Sequence, residues 1–113
     1  MEFPKPPKYD KAEDEKNVRL AAQLDLEQCQ WHLFVHNQKR KASYPHHIYG
    51  RRRRWDLDGI ISLCFECHQK VHMATQKDGV TEITREKLIE LMEDAVIPCR
   101  KVRLKALTEL GRI

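Results

Sequence analysis

Between Cys29 and His72 the chain gathers all six of its histidines and three of its four cysteines. The segment runs through Cys29-Gln30-Trp31-His32, His46-His47-Ile48, four consecutive arginines from Arg51 to Arg54, and Leu63-Cys64-Phe65-Glu66-Cys67-His68-Gln69-Lys70-Val71-His72. Thiolate and imidazole are the ligands that zinc and its transition-metal neighbours prefer, so this crowding reads as a fold built around bound metal. A chain of 113 residues suits one domain with a core of modest size.

Cys29 and His32 have the spacing of a zinc knuckle, in which a tight turn lets both side chains meet one tetrahedral ion. Alone such a pair is weak, since Cys29 can equally be a small buried apolar residue and His32 a surface histidine. A second pair, Cys64-x2-Cys67, supplies the two further ligands of a closed Cys3His site, with His36 able to replace His32 as the fourth. Cys99 stands apart as a free thiol or a small apolar residue.

His68 and His72 are four residues apart, so on a helix from Phe65 to Thr75 they project from one face and can grip a single ion. Cys67 and His68 are consecutive, and on that helix their side chains diverge by about a third of a turn. Cys64 and Cys67 therefore face one ion and His68 and His72 another. A closed four-ligand site is structural, whereas one with only a few histidines leaves positions open for water or substrate. His46 and His47 fall on a short strand, Ser43 to Tyr49, which points neighbours to opposite faces and gives the two histidines different roles.

In Cys29-x2-His32, His46-His47-Ile48 and Leu63-Cys64-x2-Cys67-His68-x3-His72 the chain resembles the HNH endonuclease family, in the subgroup where a cysteine zinc site braces the fold. The resemblance implies an α+β, ββα-metal core of two antiparallel strands and a helix, flanked here by N- and C-terminal helices. It further implies that His46, His68 and His72 hold a catalytic divalent ion (Mg2+, Mn2+, Ni2+ or Zn2+), that His47 is the general base, and that Cys29, His32, Cys64 and Cys67 hold a structural Zn2+. The chemistry is consistent: a neutral imidazole accepts a proton from water at neutral pH, and a divalent ion stabilises charge on the phosphate and the departing 3′ oxygen. Strand alternation turns His47 away from His46 and leaves its lone pair for water. The family's asparagine, nine residues before the first helical histidine, falls on Gly59, so its task of steadying the base-bearing loop is lost or passes to Asp58. Asn37 lies too far upstream to replace it.

The remaining chain is read around that core. Met1 to Tyr9, which carries Pro4, Pro6 and Pro7 with Lys5 and Lys8, is a flexible basic arm. Asp10 caps a helix over about 11–26 whose stripe is Val18, Ala21, Ala22 and Leu24. Asn37 to Lys41 reads as a solvated turn between two strands. Arg51 to Arg54 lies between the second strand and the helix as a clamp for DNA phosphates, Trp55 packs on that helix and Trp31 in the core. Lys77-Asp78-Gly79 is a turn, Thr84 caps a further helix bounded by Pro98, and Arg100 to Ile113 forms a basic amphipathic helix. One nuclease domain thus spans 10–98, with its core over 29–75, and a tail spans 99–113 that folds back, grips DNA or binds a protein partner.

The net charge of +4 admits a polyanionic partner, read here as DNA. No apolar run approaches the ~20 residues of a membrane span, and the expected home is the cytosol of a bacterium or phage-infected host, where clustered thiols stay reduced. The alternative to the nuclease is a non-catalytic zinc module binding nucleic acid. It leaves the spacing of His46, His47, His68 and His72 without a purpose.

Overall fold

The computed structural model describes residues 8–74 and 83–112. Residues 1–7 of the arm expected over 1–9 and the expected turn at Lys77-Asp78-Gly79 lie outside them. The first helix, α1, spans Lys11–Leu24, and the Glu13 N–H donates to the Asp10 carboxylate at 3.1 Å. It stops two residues before the sequence suggested. Leu26 and Glu27 both take the left-handed conformation, φ 56° and 54°, and the Glu27 N–H turns back to the Ala22 carbonyl. No glycine marks this stop, so it is invisible to the usual signals. Tyr9, assigned to the arm by sequence, is fastened: its ring meets Trp55 edge-on at 5.3 Å.

Gln30–Val35 forms a second helix, α2, where a strand was expected before Asn37. Asn37 ends it in the left-handed region at φ 52°, and the Gln38 N–H donates to the His32 carbonyl. Asparagine tolerates that conformation better than most residues. The sheet has two antiparallel strands, β1 (Tyr44–His47) and β2 (Ile60–Leu63), with His46 opposite Ile61 and His47 opposite Ile60. The expected second strand is thus the first of the pair. Its partner is the short Ile60-Ile61-Ser62-Leu63 run, wholly buried, and four buried residues with no apolar/polar alternation do not declare themselves a strand. The arginine run consequently lies in the connection between the two strands, not between strand and helix.

Helix α3, Phe65–Ala74, follows β2 directly. From Thr84, whose hydroxyl accepts the Lys87 N–H, the chain is helical through α4 (Arg85–Leu91), a π segment (Met92–Val96) and α5 (Ile97–Glu109). Pro98 therefore does not bound the helix. A proline ring inside a helix crowds the carbonyl four residues back, and the wider turn just before it makes the room. Ile61, Leu63, Trp31, Val71, Ile83, Leu88, Met92 and Val96 close one core around the cysteines.

The tail folds back. Arg100 is buried and its guanidinium forks onto Asp25 at 2.8 and 2.7 Å, with further bonds to the carbonyls of Leu57 and Ile60. Arg103 reaches the Leu24 carbonyl. Among the described residues no helix is long and apolar enough to cross a membrane.

Candidate metal centre

The two ligand pairs of the first cluster are built alike. Cys29 is the N-cap of α2 and His32 sits in its first turn; Cys64 immediately precedes α3 and Cys67 sits in its first turn. A spacing of three across a helix start brings both side chains to one side of the turn, so helices deliver what a knuckle turn was expected to deliver. His32 Nδ1 lies 3.3, 3.5 and 3.2 Å from the sulfurs of Cys29, Cys64 and Cys67, and the Cys29 and Cys67 sulfurs are 3.7 Å apart. Tetrahedral zinc with bonds of about 2.3 Å sets two sulfurs about 3.8 Å apart, so the cluster has the dimensions of a zinc site. All four residues are buried and the cysteines are unpaired. His36 stays outside, its ring 5.6 Å from that of His32.

The charges suit a cation as well. The hydrogen bond between Cys67 and Cys29 favours the Cys29 thiolate and lowers its pKa, and the same bond, with burial, pushes Cys67 up. Neighbouring thiols cannot all ionise against one another, whereas a dication at their centre removes the conflict. A buried Cys/His cluster arranged for a metal ion is therefore a feature of this fold, and structural zinc is the ion it suits.

A second group stands on the other side of α3. One residue past Cys67, His68 faces outward with His72, Nε2 to Nε2 at 3.1 Å, and His46 from β1 meets both rings at 5.5 and 5.6 Å. The three donor atoms lie within 4.8 Å of one another, close enough to share an ion. Burial first, then His68, His72, His47 and Arg85, hold the His46 pKa down at about 4, and burial with His72 lowers that of His68. Both rings are thus neutral at pH 7 and carry a lone pair to offer. Tyr44 stacks on His68 at 5.0 Å and fixes its plane. The group opens on a cleft of about 390 Å3 lined by His46, His47, Gly50, His72, Thr84 and Arg85, among others.

His47 turns from its neighbour, as alternation requires, and meets α1. Its Nε2 lies 2.7 Å from Asp14 Oδ1, and the Tyr9 hydroxyl donates to Oδ2 of the same carboxylate at 2.5 Å. Burial raises the Asp14 pKa, but the hydrogen bonds from Tyr9 and His47 and the charges of His47 and Arg51 outweigh it and hold the group below its ordinary value. Asp14 and Arg85 were not singled out in the sequence. Asp14 lies 33 residues from His47, among exposed acidic neighbours that share its helix turn, and nothing in its spacing marks it.

The arginine run divides. Arg54 is bound to Asp56 at 2.8 and 3.3 Å, approaches Asp58 at 3.9 Å and lies over the Tyr49 ring; Arg51 approaches Asp14 at 3.6 Å; Arg52 and Arg53 are exposed. Asp58 thus faces Arg54. At Gly59 a Cβ would stand 3.0 Å from Arg54 Cγ and 3.2 Å from its carbonyl, and the Gly59 carbonyl itself accepts the Ile48 N–H at 2.9 Å, tying down the residue after His47. Trp55 packs on Tyr9 and binds Asn17 of α1 through its carbonyl, so it joins α1 and not α3. Comparison with protein-family models, curated proteins and solved structures gives no match to this chain.

Proposed function

We propose that the protein is a metal-dependent endonuclease of the HNH type that hydrolyses DNA phosphodiester bonds. The observation that carries this reading is the convergence of His46 with the His68–His72 pair beside an open cleft that His46, His47 and His72 line. A closed zinc module for binding alone has no use for that second group. The ββα arrangement of β1, β2 and α3, with a histidine of β1 against two of α3, supports the finer fold assignment. Unpaired cysteines suit a reducing cytosol.

In this reading His46, His68 and His72 hold a divalent ion, which supplies Lewis-acid stabilisation of charge on the phosphate and the leaving oxygen. His47 accepts a proton from the attacking water as the new O–P bond forms. The bond from phosphorus to the 3′ oxygen breaks, and solvent protonates the leaving oxygen, giving 5′-phosphate and 3′-hydroxyl ends. Arg52, Arg53 and Arg85 grip flanking phosphates, while Arg54 spends its fork on Asp56.

Supercoiled plasmid incubated with the protein and Mg2+, Mn2+ or Ni2+ tests this. Relaxed or linear DNA is expected from the wild type, with His47→Ala reduced by about 10²-fold or more. Failure to relax the plasmid with any of these ions, beside retained DNA binding, selects the non-catalytic zinc module.

A further inference from the structure

His47 holds its partner in a manner the spacing of the motif does not require. The carboxylate of Asp14 is 4 % exposed and the His47 ring 10 %, so the contact between Oδ1 and Nε2 at 2.7 Å is sheltered from water. Asp14 is positioned twice over, by its place in the first turn of α1 and by the Tyr9 hydroxyl on its other oxygen. The positive end of the helix dipole and the nearby Arg51 also favour its negative charge.

An ionised carboxylate only accepts hydrogen bonds, so the ring nitrogen facing it must carry the proton. The lone pair of a neutral His47 is then on Nδ1. We infer that Asp14 is the positioning residue of His47: it fixes the Nε2–H tautomer, leaves Nδ1 as the basic atom toward the cleft, and stabilises the imidazolium formed when Nδ1 takes the proton of water. This rests on the nuclease reading and deepens it. α1, outside the segment that resembles the family, thereby becomes part of the reaction centre. The balance is simple: water's O–H bond breaks, the proton goes to Nδ1, and the oxygen goes to phosphorus.

Asp14→Asn is the test, with His47→Ala beside it, each checked for zinc content and helical circular dichroism. Asparagine has the same shape but offers an N–H2 toward Nε2, which draws the ring proton to Nδ1. The expected result is a fall in kcat for plasmid nicking of about 10²-fold or more with KM within about threefold. Ring 15N spectra should show the His47 proton on Nε2 in the wild type and a changed tautomer in Asp14→Asn. If the pair only fastens α1 to β1, Asp14→Asn lowers the melting temperature and leaves kcat at wild-type level below it, which overturns the inference. His47→Ala nicking as fast as wild type overturns the base itself and with it the parent reading; inactive His47→Ala beside fully active Asp14→Asn overturns only the role of Asp14. Should Asp14→Asn not fold, the wild-type ring spectrum decides: a proton on Nδ1 excludes the inference and one on Nε2 supports it.

Discussion

Leu26 sits where an L-residue is least comfortable. It adopts φ 56° just after the α1 cap, it is 55 % exposed, and its neighbour Glu27 shares the conformation. The left-handed region strains a side chain that has a Cβ by about 1–2 kcal/mol, and glycine relieves the strain at the expense of a more flexible unfolded chain. Leu26→Gly is therefore expected to raise stability by about 0.5–1 kcal/mol, read as a higher urea midpoint with unchanged slope; a lower midpoint would mean the Leu26 side chain contributes packing that its exposure hides. Single residues also mark the limits of sequence reading here. Cys29, His32, Cys64 and Cys67 could be grouped because spacing within a turn is a local property, and His68 with His72 likewise. Asp14 and Arg100 could not, because each finds its partner only after folding brings together positions 33 and 75 residues apart.

At the level of elements, α3 bears the sharpest contrast. Cys67 is 1 % exposed and turned to the sulfurs, while His68, the next residue, stands on the outer face with His72. Substitution of neighbours should therefore have unlike consequences. Cys67→Ser is expected to release the tightly held zinc and with it most of the cooperative unfolding transition, since structural zinc contributes directly to folding. His68→Ala is expected to retain one zinc per chain and to lose no more than about 1 kcal/mol, as a half-exposed ring normally does. Zinc content by mass spectrometry and thermal unfolding on the same samples check both. The helical periodicity that separates these two residues was legible beforehand. That α2 would be a helix was not, because six residues carrying Trp31, Phe34 and Val35 suit a strand equally well, and it is convergence on the cysteines that decides for the helix.

Across the whole molecule, the Arg100–Asp25 pair joins the end of α1 to α5, and its remaining bonds reach the 3-10 turn at Leu57–Gly59 and β2. Each of the three guanidinium nitrogens donates at least one of these bonds, and the Ser62 N–H adds a bond to Asp25 at 3.3 Å. Arg100→Ala leaves a buried carboxylate without its partner and is expected to lower stability by about 3–5 kcal/mol; Arg100→Lys should recover little, since an ammonium cannot span the same acceptors. Equilibrium denaturation decides, and a loss under about 1 kcal/mol would show that water replaces the fork. The tail, open to three readings in sequence, is thus committed to the domain as far as Arg103. The adjacency of Cys67 and His68 also constrains how such a chain can change length. One residue inserted between them would swing everything after it by about 100° and turn His68 and His72 away from His46, whereas four inserted residues, close to one full turn, would nearly restore the bearing while shifting the pair about 6 Å along the axis. Among the described residues, an insertion should accordingly be better tolerated in the exposed Arg51–Arg53 stretch than at the junction inside α3, which should accept none.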